Sequence, residues 1–441
     1  MRRSLLPLLL LAPSALAAQL PNTSVRGLGL GAYTVVARGY EAAAWNPAVL
    51  GAPGNPGLTI GLPQASMEFG SSAWGLGDFE KYADKFLTPA DKSYLLGKVN
   101  GTLGLREIVG AAPFGLSISH FALSIASAAQ VQGQLSKDAV ALALNGNASN
   151  PSQLFSGAGT GGSGWAATTL ALSAGWPIRL AVGRLSVGGT FKKVWGFGLG
   201  YGVADTSTRF QVVSATGFNA HAAGETIYTD FSGTNKVNGV GDLLGSNAPG
   251  TGYGVDLGGV LQLPGGLRVG ASLINVLGSM TWKASHMRYD RATYQVQQSG
   301  SGGTVNDTHS DSILTGAAIT TDPRAMKFRD SVLANSNFAR LARGGASLKI
   351  GRLLVAADAQ IRLSDGIDHP PAQAVSAGAE YVVFGILPLR AGMGTDFANQ
   401  FTFSGGTGLY LGPVHIDLGL ADITGSKNPG VRVGAGLGLI F

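Results

Sequence analysis

The chain has 441 residues, of which 13% are charged, 68 are glycine and none is cysteine. A typical soluble domain is about 25% charged, so this composition excludes an ordinary water-facing surface, and the lack of cysteine excludes disulfides, thiolate catalysis and lipid attachment through a thiol. A net charge of +6, scattered along the chain, is too weak for a nucleic-acid surface.

The first residues read as a secretory signal peptide, residues 1–17. Arg2 and Arg3 precede the apolar run Leu5 to Leu11 and a small-residue site at Ala15-Leu16-Ala17. Residues 18–56 carry Gly27-Leu28-Gly29-Leu30-Gly31, then Glu41-Ala42-Ala43-Ala44-Trp45-Asn46-Pro47-Ala48. By itself Asn46-Pro47 is a turn signal, because proline fixes its own φ and pushes the preceding residue toward extended geometry.

From residue 57 onward the pattern is strand after strand. The expected spans are Gly57 to Ser71, Leu103 to Ser117, Phe121 to Gln134, Trp165 to Ile178, Arg184 to Val203, Tyr253 to Leu263, Leu267 to Trp282, Leu341 to Ile350, Leu353 to Leu363, Ala374 to Val383, Leu387 to Thr395, Phe401 to Leu411, Val414 to Ala421 and Val431 to Phe441. That is fourteen, an even number, as closed membrane barrels require. The charge-free stretch Ile108 to Ser136 contains Gly110, Pro113, Gly115 and Gly133, and is expected to be a hairpin turning at Ser119-His120 rather than a membrane helix. Tight turns such as Pro264-Gly265-Gly266, Gly351-Arg352 and Gly412-Pro413 alternate with long connections at 72–102, 135–164, 204–252 and 283–340, the rim asymmetry of such barrels.

Within the strands, Leu353, Val355, Ala357, Ala359 and Ile361 oppose Asp358, Gln360 and Arg362, and Val414, Ile416, Leu418 and Leu420 oppose His415 and Asp417. A charge at every second position is costly in lipid and cheap in a wet lumen, so the charged side is the inside. The expected lumen-facing polar residues are Asp256, Arg268, Arg343, Lys349, Asp358, Arg362, Glu380, Arg390, His415, Asp417 and Arg432, with acids and bases pairing across the lumen either for structure or for substrate contact. In Leu267, Val269, Ala271 and Leu273 the outward phase slips near Asn275, which predicts a bulge.

In the first long loop Phe79, Tyr82, Ala83, Phe86 and Leu87 follow helical spacing, and Thr88-Pro89-Ala90-Asp91 reads as the start of a helix. Phe79, Tyr82, Phe86 and Leu87 are candidate ligand contacts if that helix shelters the barrel mouth, and plain loop packing if it does not. Asp322-Pro323 is a second helix start, whereas residues 204–252 are rich in Gly, Ser, Thr and Asn and specify little.

The glycine-rich opening followed by Trp45-Asn46-Pro47-Ala48, together with the terminal strand that ends the chain on Phe441, resembles the FadL-type outer-membrane transporters of hydrophobic compounds and their PorV and TraF-like relatives. The resemblance implies an all-β transmembrane antiparallel barrel of about fourteen strands over residues 57–441, with residues 18–56 as a plug at its periplasmic side and short helices in the outer loops. It implies Trp45, Asn46, Pro47 and Ala48 as the plug motif and Phe441 as the signal to the barrel-insertion machinery. It also implies a monomer in outer-membrane lipid, both termini periplasmic, that moves hydrophobic small molecules such as long-chain fatty acids. A PorV-like secretion component that binds an exported protein, and a general diffusion porin, remain alternatives.

Catalysis is not expected. His120, His221, His286, His309, His369 and His415 are dispersed, with no Gly-x-Ser-x-Gly elbow and no His-Glu-x-x-His metal spacing. No cofactor and no metal site is expected.

Overall fold

The computed structural model describes residues 24–146, 153–214, 217–232, 247–298, 305–398, 400–425 and 429–441; the expected signal peptide lies outside them. The wall is a closed antiparallel barrel of fourteen strands: β1 (Leu58–Ser71), β2 (Thr102–Ile118), β3 (Phe121–Ser136), β5 (Gly161–Arg179), β6 (Arg184–Ala204), β9 (Gly250–Gln262), β10 (Leu267–Trp282), β13 (Leu341–Ile350), β14 (Leu353–Arg362), β15 (Gln373–Val383), β16 (Leu387–Thr395), β17 (Gln400–Leu411), β18 (Val414–Gly425) and β19 (Gly430–Ile440). Each pairs with the next, and β1 pairs with β19 from Thr59 opposite Ile440 to Gly70 opposite Gly430, which closes the ring of strands.

Alternation sets the two faces. In β14, Val355, Ala357, Ala359 and Ile361 are exposed while Ala356 and Gln360 are buried. Met67, Val109, Leu172, Phe191, Leu257, Val269, Leu389, Phe403, Leu418 and Val433 continue this exposed apolar outer surface around the barrel, the side a bilayer covers. Among the described residues no helix is long and apolar enough to cross a membrane.

The short connections gather on one rim. Residues 119–120 join β2 to β3, and Gly351 and Gly412, both with φ of 59°, open two-residue turns that a Cβ would strain. Phe441 donates its backbone N–H to the Leu58 carbonyl (2.9 Å), so both ends of the barrel lie on this short-turn rim. Pro63 and Pro113, which have no N–H to give a ladder, sit at irregularities in the β1–β19 and β2–β3 registers.

The opposite rim differs from the sequence reading. Five further strands, β4 (Leu154–Ser156), β7 (Arg209–Ser214), β8 (Gly217–Thr229), β11 (Met287–Gln298) and β12 (Val305–Thr315), extend the sheet beyond the wall in segments read as loops. β8 pairs with the last residues of β6 and with β7 and β11, and β11 pairs with β12. Mixed polar and small residues occupy both faces there, so no apolar alternation announces them. Asp322 caps a helix over Pro323–Leu333, as its sequence predicts, and Phe328 from this helix packs against Tyr201 and Tyr289.

The first-loop helix also needs correction. It spans Leu76–Tyr82 and stops before Phe86, because Ala83 is extended and Asp84 takes a left-handed φ of 57°. The next helix, Pro89–Lys98, carries the expected Thr88 cap with Asp91 reciprocating. Extended geometry at Thr88, which Pro89 imposes, rules out one continuous helix.

Residues 24–55 lie inside the barrel. A six-residue helix, α1 (Val25–Leu30), faces β15 to β19, and a shorter one, α2 (Ala42–Trp45), leads into a 3₁₀ turn at Pro47–Gly51 that rests on β5, β6 and β9. Leu30, Tyr33, Val35, Trp45, Val49 and Leu50 belong to one buried cluster with Val260 and Ala356 of the wall.

Candidate functional site

Asn46 fixes the inner segment to the wall. Its side-chain oxygen accepts from the Ala48 amide, and its Nδ2 donates to the carbonyls of Gly259 (3.3 Å) and Ala271 (3.2 Å) on β9 and β10. Ser272 donates to the Trp45 carbonyl at 2.8 Å. Such close approach needs wall positions without side chains: a Cβ at Gly258 would fall 2.0 Å from Asn46 Oδ1, and one at Gly188 would fall 2.5 Å from the Pro47 carbonyl carbon.

Four of the charged lumen residues, Glu380, Asp358, Arg268 and Arg343, bond to this segment. Glu380 accepts from Arg26 (2.8 Å) and Arg390 (2.7 Å), with Arg38 at 3.8 Å, and Arg390 also pairs with Asp417 at 2.7 Å. Asp358 accepts the amides of Tyr33 (2.5 Å) and Thr34 (2.8 Å). Arg268 donates to the carbonyls of Val35 and Pro53, and Arg343 donates to the Ala44 carbonyl at 3.2 Å while stacking over Trp45 at 4.9 Å. Within the wall, Arg390 pairs with Glu380 and Asp417, Asp256 with Lys192 (2.6 Å) and Arg432 with Glu68, mostly between neighbouring strands rather than across the lumen. Arg268 and Arg343 bond instead to carbonyls and to Gln262 and Gln360, and Arg343 also lies over an indole face. Arg362 sits at the long-loop rim with Asp365, Lys349 is exposed near the other rim, and His415 stacks on Tyr410.

Three cavities lie in or beside the lumen, and Trp45 lines two of them. The first, about 180 Å³, lies on the long-loop side of α1 and is lined by Leu28, Trp45, Arg106, Ser404, Ile423 and Arg432 among others. The second, about 80 Å³, lies on the other side of Trp45, against Ala126, Ala128, Ala167, Ala171, Ile274 and Leu341, with Lys192, Asn275, Arg343 and Asp368 as its polar members. The third, about 350 Å³, shares Thr169, Lys192 and Asn275 with the second and reaches Tyr253 and Leu277, which are exposed on the outer surface.

This third cavity lies where β10 is broken. Leu273 pairs with Leu257 but Leu277 pairs with Val255, leaving two extra residues in β10, and Asn275 adopts a φ of 53°. Beyond Ile274 opposite Leu341, no β13 residue pairs with β10. The chain at 337–339 fills part of that gap: Asn337 accepts from the Met280 amide (2.7 Å), and Ala339 accepts from Asn275 Nδ2 (2.9 Å). Ala339 also donates to Asp368 at 2.8 Å. The bulge at Asn275 is visible in the sequence; its neighbours Lys192, Asp368 and Asn337 are not, since only the closed barrel brings them together.

The first-loop aromatics lie elsewhere. Phe79 packs on Phe69 and Trp74, Tyr82 faces Tyr94, and Phe86 is fully exposed. Neither they nor Leu87 line these three cavities. Missed by the sequence reading are Arg26, Arg38, Glu41, Glu68 and Arg106; the inward phase of Glu68 and Arg106 was available from the alternation of β1 and β2.

A family of unknown function (DUF5723) matches residues 52–331, well over half of the chain. The chain belongs to that family. No curated protein matches this member of it. Among solved structures it is similar to the TodX monoaromatic hydrocarbon channel deltaS2 mutant, with 13% identity, a TM-score of 0.51 and coverage of 96% of this chain and 100% of the other. It is also similar to the Ralstonia pickettii toluene transporter TbuX (15% identity, TM-score 0.47, 94% and 97% coverage) and to a Pseudomonas aeruginosa FadL homologue (10%, 0.47, 98% and 100%). The likeness to the TodX mutant places this family member in the fold of the FadL-type barrels.

Proposed function

We propose that this chain is an outer-membrane channel that passes hydrophobic small molecules from the long-loop rim to the lipid through the break in β10. One observation carries the reading: Trp45 lines two cavities, and the second, mostly apolar, shares Thr169, Lys192 and Asn275 with a cavity at the break in β10 that reaches the outward-facing Tyr253 and Leu277. An apolar solute leaving sideways avoids both the polar lumen and the water beyond it, and burial from water favours it by about 25 cal/mol per Å². Residues 18–56 act as the plug that closes the direct route, and the short-turn rim with both barrel ends faces the periplasm. Compounds like those named for the similar channels, aromatic hydrocarbons, fit this path, and so do long-chain fatty-acid-like molecules, whose chains are thin. Phe79, Tyr82, Phe86 and Leu87 form an outlying first contact for such molecules. The ring of strands closes on itself through β1 and β19 and needs no second copy to complete it, so the barrel acts as a monomer.

Deleting Asn275 and Val276 removes the two extra residues and restores an unbroken β9–β10 ladder. Uptake of labelled toluene and palmitate into cells should then fall at least about tenfold while the barrel still assembles in the membrane. Native mass spectrometry of the intact protein, extracted in mild detergent, should find a bound apolar molecule; undiminished uptake by an assembled deletion variant would overturn the lateral route.

A further inference from the structure

Trp45 separates the first two cavities, and lines both of them. Its indole is 5% exposed and sits in the apolar cluster of the inner segment, with the Arg343 guanidinium 4.9 Å over its face and the Tyr33 ring edge-on at 5.4 Å and 72°. Among the described residues its Nε1 has no hydrogen-bond partner. Turning this ring therefore breaks no side-chain hydrogen bond, whereas the backbone beneath it is pinned by Ser272 and Asn46. The space beyond it is narrow, about 80 Å³ against about 180 Å³ on the near side. An apolar cavity of roughly 150 Å³ is what takes up a single benzene ring, so the near cavity admits one ring at rest and the far one only when the indole gives way.

We propose that Trp45 is the specificity-determining residue of the channel, and that it selects by cross-section: linear chains and single rings pass the indole, and fused polycyclic molecules do not. Arg343, whose Nε is held by Gln360 and whose Nη1 is held by Ala44, is the positioning residue that keeps the indole across the path. The inference rests on the transport reading above and adds to it the shape of the substrate.

The test compares uptake of labelled toluene, palmitate and phenanthrene by the full chain, by Trp45→Ala and by Trp45→Phe, with heat-dependent gel mobility used to confirm an assembled barrel. The wild type should carry toluene and palmitate and exclude phenanthrene. Trp45→Ala should raise the phenanthrene-to-toluene ratio at least tenfold, and Trp45→Phe, which keeps a ring against Tyr33 and Arg343, should retain most of the exclusion. A ratio unchanged in assembled Trp45→Ala, or phenanthrene carried by the wild type as fast as toluene, overturns the role of Trp45 and leaves transport standing. A wild type that carries none of the three overturns both.

Discussion

At the scale of single residues, the lumen charges behave as fasteners. Glu380 is 2% exposed and holds Arg26 from the inner segment and Arg390 from the wall. Removing one partner from a buried charged cluster leaves the others uncompensated, at a cost of about 3–5 kcal/mol. Glu380→Ala should therefore lower the denaturation midpoint of the purified barrel clearly, while Lys349→Ala, at an exposed position, should shift it little; equal midpoints would show that Glu380 does not bind the segment. Asn46 makes a different link, capping the turn at Pro47–Gly51 and bonding two wall carbonyls. Loss of a cap costs about 1 kcal/mol, so Asn46→Ala combined with Pro47→Ala should change ligand uptake while leaving assembly intact, and uptake equal to wild type would count against the plug motif.

At the scale of elements, the break in β10 is supported by a loop whose stability depends on pH. Asp368 lies in the β14–β15 connection, and burial raises its carboxyl to about 6, against the hydrogen bond from the Ala339 amide that works to lower it. The folded loop therefore binds this proton more tightly than the unfolded chain, whose value is near 3.8. Ionisation is disfavoured in the folded state, so local stability is greatest below about pH 4, falls as pH rises to about 6, and stays lower above that, by at most about 3 kcal/mol. Protease nicking within 363–372 should be slower at pH 5 than at pH 8, and Asp368→Asn should remove most of that difference. A pH dependence identical in the two proteins would refute this account of the strap beside β10.

At the scale of the whole molecule, the inner segment and the closed wall together predict an electrically quiet barrel. With α1 against β15 to β19 and the Pro47–Gly51 turn against β5, β6 and β9, the lumen is filled at two levels. In planar bilayers the wild type should show no steady conductance of the size of an open diffusion porin, and a large constant conductance would revive the porin alternative. If the proposed lateral route is right, the same bilayers should carry apolar solutes while staying closed to ions, because among the described residues β10 and β13 stop pairing beyond Ile274 and Leu341.

The sequence alone determined the barrel, because lipid and lumen impose opposite demands on alternate residues and leave a period-two record in every strand of the wall. All fourteen wall strands, the Ser119-His120 turn, the two capped loop helices and the bulge at Asn275 were legible for that reason, or because proline and capping side chains act locally. Strands β4, β7, β8, β11 and β12 were not, since only a few of their residues, such as Ile227, Met287 and Tyr289, pack in an apolar cluster and polar or small residues make up most of the rest. Nor could the sequence assign partners to Arg268 and Arg343, or join Lys192, Asn275, Ala339 and Asp368 around one opening. Those neighbours are far apart along the chain, and only closure of the barrel, with residues 24–55 folded inside it, decides which of them meet.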